Sequence, residues 1–552
     1  MTMNLRNPKS AAWLFVILFA VLASVPFLIP GTGFLAVLSF APLFLLEHTI
    51  RTGGLRRGWW YGFAAFLLFN IATTWWVWNV SPAGAIAALT ANTIQMSVIF
   101  ALLRLTRSWA IKAAEAFPRR AGVLNALPYV FFIALWLGWE HCYCEVELSW
   151  PWLILGHALA TAPRLAQWYE VTGPLGGSLW ILAGGLLVFA AIRAAAEHRA
   201  KGLRAFGIAA SCFILVPALL SLIRYHSWQE NGEPVEVLAV QPNVDPFMKY
   251  GIVPQARLDE QLLSQAEGAL TPDTRYLITP ETFTYSIDID HPYNSPSWQA
   301  YSAFLAKRPE LTMVLGSRTI RQLPAGPRPS RTARQTPSGW YEVYNSAIMA
   351  GVNAPYVYYH KAKLVPGVES MPRIISVFAP IIEYFGGAAT GHGRMDRIIA
   401  LQGADGHRFG VMICYDSAYG DFSSQAAADG ADLLAVITND GWWGDTPGYR
   451  QHFRLASLRA IENRRDVVQC ANTGMSGFIN QRGDVLSHTG WWTSETLLGV
   501  MHARSDVTFF SRHGDIIGRT SSVLGPILLL LLALIPLWGK RCGCGRSASK
   551  NA

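Results

Sequence analysis

Charge is scarce in this sequence. Lys, Arg, Asp and Glu make up 15% of the 552 residues and hydrophobic residues 51%, whereas an ordinary soluble chain carries about 25% charge. That balance argues against a wholly water-soluble protein. Cysteine is sparse as well. None of the seven forms a CxxC pair, so neither a zinc ribbon nor a thioredoxin-like motif has support. Cys142 and Cys144 stand too close for an easy disulfide, and Cys542 and Cys544 follow the last apolar run, on the side where thiols stay reduced. There is no P-loop and no dinucleotide fingerprint, so nothing calls for a nucleotide or a metal. No repeat of fixed period and no long low-complexity tract occurs. The net charge is +9, a sign that suits nucleic acid or anionic lipid. Its positive residues sit mostly in short loops between apolar runs, which points to membrane topology instead.

Those apolar runs are the main feature present. A bilayer core of about 30 Å needs roughly 20 apolar residues as a helix. Runs near 11–29, 33–49, 58–78, 83–103, 127–144, 174–194, 205–223 and 521–538 meet or approach that length. They predict about eight spans, seven before a long polar region and one after it. Pro42 interrupts the second, and Thr90, Asn92 and Gln95 interrupt the fourth. Arg6 and Lys9 precede the first span. Arg51, Arg56 and Arg57 follow the second, and five basic residues from Arg104 to Arg120 follow the fourth. Arg193, Arg199, Lys201 and Arg204 follow the sixth, and Lys540, Arg541 and Arg546 the eighth. The alternate loops hold almost none, Arg164 being the exception. This bias puts both termini in the cytoplasm. The first run also has the outline of a signal peptide ending near Ala23-Ser24, and is read as an uncleaved helix.

Residues from about 229 to 515 therefore face outward, and they differ in kind. Short β-type runs at 235–241, 276–279, 313–317, 347–350, 356–359, 409–414, 433–438 and 467–470 alternate with helical stretches, which predicts an α/β domain with a mostly buried sheet. The expected division is a membrane domain over 1–228, the α/β domain over 229–515, and a final helix with a short tail over 516–552. The Pro- and Arg-rich stretch 322–339 reads as a loop or insertion.

Three of these runs end in residues able to do chemistry. Phe409-Gly-Val-Met-Ile-Cys414 stops at a thiol, Leu277-Ile-Thr-Pro280-Glu281 at a carboxylate, and Tyr356-Val-Tyr-Tyr359-His-Lys361 at an ammonium. Taken singly, each has an ordinary alternative: Cys414 as a buried core thiol, Glu281 as a solvated loop residue, Lys361 as a surface lysine. Taken together they have a purpose. Strand carboxyl ends of an α/β sheet converge on one crevice, and nucleophilic catalysis needs a base, a thiolate and a cation for the oxyanion.

The order Glu, Lys, Cys, with PET around Glu281, Y-x-K-x-x-L around Lys361 and ICYD around Cys414, resembles the nitrilase (carbon–nitrogen hydrolase) superfamily. With membrane spans on both sides, the chain resembles the apolipoprotein N-acyltransferase family over essentially its full length. Further matching segments are Trp150-Pro-Trp152, Tyr344-Asn-Ser346, Leu364-Val-Pro366 with Glu369, Asn439-Asp-Gly-Trp-Trp-Gly444, Gln451-His-Phe453 and Arg459-Ala-Ile-Glu462. The resemblance implies an α-β-β-α sandwich, with Glu281 as general base, Lys361 as oxyanion partner and Cys414 as the acyl-thioester. It implies supporting or substrate-binding places for Glu369, Tyr415, Asp416, Tyr250, Asn345 and Trp442. It implies a phospholipid donor, a diacylglyceryl apolipoprotein acceptor and no cofactor. Asp416 departs from the commoner Glu, VPGVE from the commoner VPFGE, and Lys363 stands where many relatives have His.

Other features carry weaker expectations. The oily segment 374–385 reads either as an interfacial lid or as a buried helix of the sandwich. Trp59, Trp60, Trp75, Trp76, Trp78 and Trp150, near span ends, fit an aromatic belt with no role beyond anchoring. Glu140 and His141, near the outer end of a span, are expected to be solvated. Two rival readings stand beside acyl transfer: a membrane-tethered amidase acting on a small C–N bond, and a non-catalytic transporter or lipid-binding protein.

Overall fold

The computed structural model describes residues 7–249, 251–373 and 390–543. Tyr250, the segment 374–385, Arg6, Cys544 and Arg546 lie outside the described residues. Seven helices precede the α/β part: α1 (Pro8–Leu28), α2 (Ala36–Thr52), α3 (Gly58–Thr74), α4 (Pro82–Ala116), α5 (Ala121–Tyr143), α6 (Tyr169–Ala196) and α7 (Ala200–Ser227). Several starts are written locally. The Asn7 side chain caps α1 by accepting from Lys9 N, the Ser81 side chain caps α4 by accepting from Gly84 N, and a proline opens each.

Counting the last helix, seven helices among the described residues are long and apolar enough to cross a membrane. The expected span at 58–78 is α3, which has 17 residues and tightens into a 3-10 turn at Trp75–Asn79. Pro42 does not break α2, and the run with three polar interruptions is the longest helix, at 35 residues. Two of the three polar residues are partnered across the bundle. Asn92 accepts from the Tyr143 hydroxyl at 2.7 Å, and Gln95 from the Trp139 indole at 3.0 Å, so they fasten α4 to α5 rather than end the span.

Between α5 and α6 the chain makes three 3-10 turns, Pro151–Leu153, Leu155–Thr161 and Pro163–Leu165, the first two of them buried. They run close under α6: a Cβ at Gly156 would sit 1.8 Å from the Pro174 carbonyl oxygen, and Tyr169 donates to the Gly156 carbonyl at 2.8 Å. Gly156→Ala should force these backbones apart at a cost of about 1–3 kcal/mol, lowering the thermal unfolding midpoint in detergent; an unchanged midpoint would contradict this packing.

The α/β part holds fourteen described strands in two sheets. The first contains β1 (Glu233–Gln241), β2 (Thr274–Ile278), β3 (Thr284–Asp288), β4 (Thr312–Leu323), β5 (Arg334–Thr336), β6 (Gly339–Ala350), β7 (Val357–His360) and β14 (Glu495–Ala503). The second contains β8 (Ala400–Gln402), β9 (Arg408–Ile413), β10 (Leu433–Thr438), β11 (Val467–Ala471), β12 (Gly477–Ile479) and β13 (Val485–His488). The first has the order β14-β1-β2-β4-β6-β5, with β3 beside β4 and β7 beside β6. The second runs β13-β12-β11-β10-β9-β8.

Alternation along the strands builds the layers. In β1, Val235, Val237 and Ala239 face the second sheet, while Leu238 and Val240 face α8 (Gln255–Glu267) and α9 (Pro296–Leu305). Between the sheets Tyr276 packs on Phe409 at 4.7 Å. On the far side of the second sheet lie α10 (Gly420–Ala428) and α11 (Pro447–Asn463), and α12 (Ile516–Gly543) leaves the sandwich. The result is an α-β-β-α sandwich beside a bundle of apolar helices.

The stretch 322–339 is not simply a loop. Thr319-Ile-Arg-Gln-Leu323 continues to pair with β6, and β5 pairs with the start of β6. Only 324–333 and the two-residue turn 337–338 lie between paired segments, the first entered at Pro324, which has no N–H to give to the ladder.

Candidate active site

β2 and β4 are parallel, β4 and β6 antiparallel, and β6 and β7 antiparallel. The carboxyl ends of β2 and β7 therefore point the same way. Glu281 follows the first and Lys361 the second. Cys414 follows β9 in the facing sheet. The chain turns sharply there: Cys414 has φ +50°, in the left-handed region, and the tight turn Cys414–Ala418 begins at once. A non-glycine residue in that region costs of order ~1–3 kcal/mol and persists only where its surroundings hold it.

Lys361 is 1% exposed and sits between two carboxylates. Its Nζ lies 3.0 Å from Glu281 Oε1 and 2.8 Å from Glu369 Oε2. Asn345, on β6, donates from Nδ2 to Glu281 Oε1 at 2.7 Å and to Glu369 Oε1 at 2.8 Å, while its carbonyl accepts from Lys361 N at 2.8 Å. Both hydrogen bonds to the Glu281 carboxylate among the described residues thus fall on Oε1, and Oε2 is left for another proton. Glu369 is fixed by its own loop. Val365 N donates to its Oε2 at 2.9 Å, and Gly367, at φ +79°, closes the turn by donating to the Ser370 carbonyl. This is the backbone path of the VPGVE variant.

Charge in this buried group sorts itself. Burial pulls the Lys361 ammonium down, but Glu281 and Glu369 more than reverse that and hold it well above the usual lysine value. Burial pushes Glu369 up, and Lys361 outweighs it, leaving the carboxyl below its ordinary range. Burial pushes the Cys414 thiol well up, the Glu281 carboxylate adds to this, and Lys361 opposes it. At rest the group is a neutral thiol beside an ammonium flanked by carboxylates. Lys249, which no local motif marks, is buried under Glu281. It donates to the Glu281 carbonyl at 3.0 Å, and burial lowers it to about 7.

Asp416 anchors the turn. It accepts from Ile413 N at 3.0 Å and the Tyr359 hydroxyl at 2.9 Å on Oδ2, and from Lys363 N at 2.8 Å on Oδ1. The shorter side chain keeps the acceptor part. Asp416→Asn sets an NH2 against at least one of these three donors, at a cost of about 1–3 kcal/mol. A matched fall in thermal midpoint and activity is expected; full stability with full activity would rule out this anchoring.

The remaining candidates lie elsewhere. Tyr415 turns toward the membrane helices: its hydroxyl donates to the Ser149 carbonyl at 2.9 Å, and its ring stacks on Trp152. Trp442 packs edge-to-face on Phe247 at 5.1 Å, and Phe247 is 67% exposed. Two expectations need correcting. Glu140 is not solvated: it is 2% exposed and accepts from Trp136 Nε1 and Leu155 N, because the buried 3-10 turns cover it. Its neighbour His141 is 2.8 Å from Asp515. Trp76 does more than anchor. It is buried against Trp152 and Trp443, and its indole donates to Gln451, so it joins the bundle to the sandwich.

Residues 259–504 match the carbon-nitrogen hydrolase family, and residues 18–187 match the apolipoprotein N-acyltransferase N-terminal domain. An apolipoprotein N-acyltransferase of Chlorobaculum tepidum is 29% identical over 91% of this chain and 92% of its own length. One of Pseudomonas putida is 29% identical over 84% of this chain and 86% of its own. The two matched families occupy the helical and sandwich parts in the order the structure builds them, and the relatives span both: the chain belongs to the apolipoprotein N-acyltransferase family of the carbon–nitrogen hydrolase superfamily.

Proposed function

We propose that this protein is an apolipoprotein N-acyltransferase that carries its acyl group on Cys414, with Glu281 as base and Lys361 as oxyanion partner. Glu281 takes the thiol proton. The thiolate attacks an ester carbonyl of a phospholipid, and the Lys361 ammonium with a backbone amide holds the oxyanion. As the C–O bond breaks, the proton on Glu281 passes to the leaving lysophospholipid alcohol, and a thioester remains. The α-amine of a diacylglyceryl-cysteine at an apolipoprotein N-terminus then attacks the thioester. Glu281 takes a proton from the amine, the C–S bond breaks, and the thiol is restored as the amide leaves.

The observation that carries this reading is a half-buried thiol at a strained strand end, acted on by both a carboxylate and an ammonium, with the next residue, Tyr415, packed against Ser149 and Trp152 of the segment that joins α5 to α6. Glu369 and Asn345 hold the Lys361–Glu281 pair, Asp416 holds the nucleophile's turn, and Tyr415 ties it to the bundle. Tyr250 and Trp442 are assigned to the substrate side. In this reading α3 crosses together with the seven helices long and apolar enough to do so, the sandwich, residues 229–515, lies outside the inner membrane with both termini in the cytoplasm, and the site meets the outer leaflet. Supplying a phospholipid and a diacylated lipopeptide to the purified protein should yield a triacylated peptide and one lysophospholipid per transfer. Hydrolysis of small amides without acyl transfer would favour the amidase reading.

A further inference from the structure

Behind the nucleophile lies a second buried ion pair that this scheme does not use. His452, on α11, is 1% exposed, and Asp440 is wholly buried. Nδ1 of the imidazole is 3.0 Å from Oδ1 of Asp440 and 3.2 Å from Oδ2. On the other side Nε2 is 3.2 Å from the carbonyl oxygen of Cys414 and 2.8 Å from Ser417 Oγ. The Ser417 hydroxyl itself donates to that same carbonyl at 2.8 Å. A hydroxyl whose proton is committed to a carbonyl offers the imidazole only lone pairs. Both ring nitrogens therefore face acceptors, which is the pattern of a doubly protonated ring.

We propose that His452 is a positioning residue for the nucleophile: held as an imidazolium by Asp440, it grips the Cys414 carbonyl in its left-handed conformation and shields the Cys414 sulfur from the Asp440 charge. The proposal rests on the reading of Cys414 as the acyl carrier. Two independent features support it. The strained φ of Cys414 needs fixed partners, and its carbonyl has two, Ser417 and His452, on opposite elements. In addition, Asp440 is one of the charges that push the Cys414 thiol up, so an unneutralised Asp440 would oppose thiolate formation. The groups facing His452 are consistent with a cation. Burial works against it, Asp440 and the Cys414 carbonyl outweigh burial, and Glu281 adds to them, leaving the imidazole above its usual value. The ring's other neighbours are the uncharged Trp152 and Trp443. The adjacent Gln451 accepts from the Trp76 and Trp152 indoles and donates to the Thr73 carbonyl at 3.0 Å. The helix carrying His452 is thereby pinned to the membrane bundle, and the grip has a rigid base.

The test measures alkylation of Cys414 by iodoacetamide against pH, read at that cysteine by mass spectrometry, in the full-length protein in detergent. Wild type is compared with His452→Gln and with the double variant His452→Gln/Asp440→Asn. His452→Gln removes the cation and leaves the Asp440 carboxylate, so the alkylation midpoint should rise by about one pH unit, a roughly tenfold slower reaction at fixed pH. The first acyl-transfer step should slow in parallel, with KM for the phospholipid unchanged. The double variant removes both charges and should bring the midpoint back toward wild type, while acylation stays slow because the carbonyl grip is weakened. A purely structural role predicts that the double variant is no better than the single. That result, or a midpoint in His452→Gln identical to wild type, overturns the proposal. Should His452→Gln fail to fold, the double variant, which leaves no orphaned charge, carries the comparison: its midpoint must match wild type while its acylation is slow. Alkylation does not depend on acyl transfer, so an absent acyl adduct in wild type would remove the functional reading and leave this result standing.

Discussion

Lys361→Met should both inactivate the protein and destabilise it. The ammonium is 1% exposed and lies within 3.0 Å of Glu281 and Glu369. Removing it leaves two buried carboxylates facing each other with only Asn345 between them. Breaking a buried pair in this way costs about 3–5 kcal/mol, which should appear as a marked fall in the unfolding midpoint. Much of that loss is the orphaned charge rather than the value of the contact. Lys361→Met/Glu369→Gln should therefore recover a large part of the stability while remaining inactive, since the oxyanion partner is still missing. If the double variant recovers activity as well, Lys361 serves only to neutralise Glu369.

The second large effect is on rate. Cys414→Ala should lower acyl transfer by a factor of order ~10³ or more, the scale seen when a nucleophile is removed from a group that acts as a unit. Its stability should change little, because Asp416, Ser417 and His452 hold the turn through backbone atoms. Adding Glu281→Gln to Cys414→Ala should lower the rate little further, since a base without its thiol has nothing to deprotonate. Additive losses would mean that Glu281 acts on something other than Cys414.

The strands that carry Glu281, Lys361 and Cys414 were legible in the sequence for a physical reason. Each is a β-type run that stops at a polar residue; singly each has an ordinary use, and only the three together, at strand ends that converge on one crevice, point to chemistry. Asn345 was readable only through the family motif: its place between two carboxylates depends on the register of β6 against β4, where it stands opposite Arg318. His452 sits in a segment visible as Gln451-His-Phe453, yet its function depends on contacts with residues 38 positions earlier and 12 earlier, which no local pattern encodes. The errors have the same origin. Glu140 looked solvated because its neighbours along the chain approach the membrane surface, whereas the turns that bury it come from residues near 155. Trp76 looked like an anchor because tryptophans gather at span ends, whereas its partners, Trp443 and Gln451, come from the sandwich. Short strands such as β8 and β12 are three residues each, too brief for alternation to register.

Everything proposed for the reaction depends on an acyl group residing on one sulfur. The direct measurement is the intact mass of the purified protein after incubation with a phospholipid of defined acyl chains, with and without hydroxylamine, for wild type and Cys414→Ala. The expected result is one added acyl mass on wild type, removed by hydroxylamine, discharged as an amide by a diacylated lipopeptide, and absent from Cys414→Ala. An acyl adduct of equal size on Cys414→Ala, or full transfer by that variant without any adduct, would contradict it.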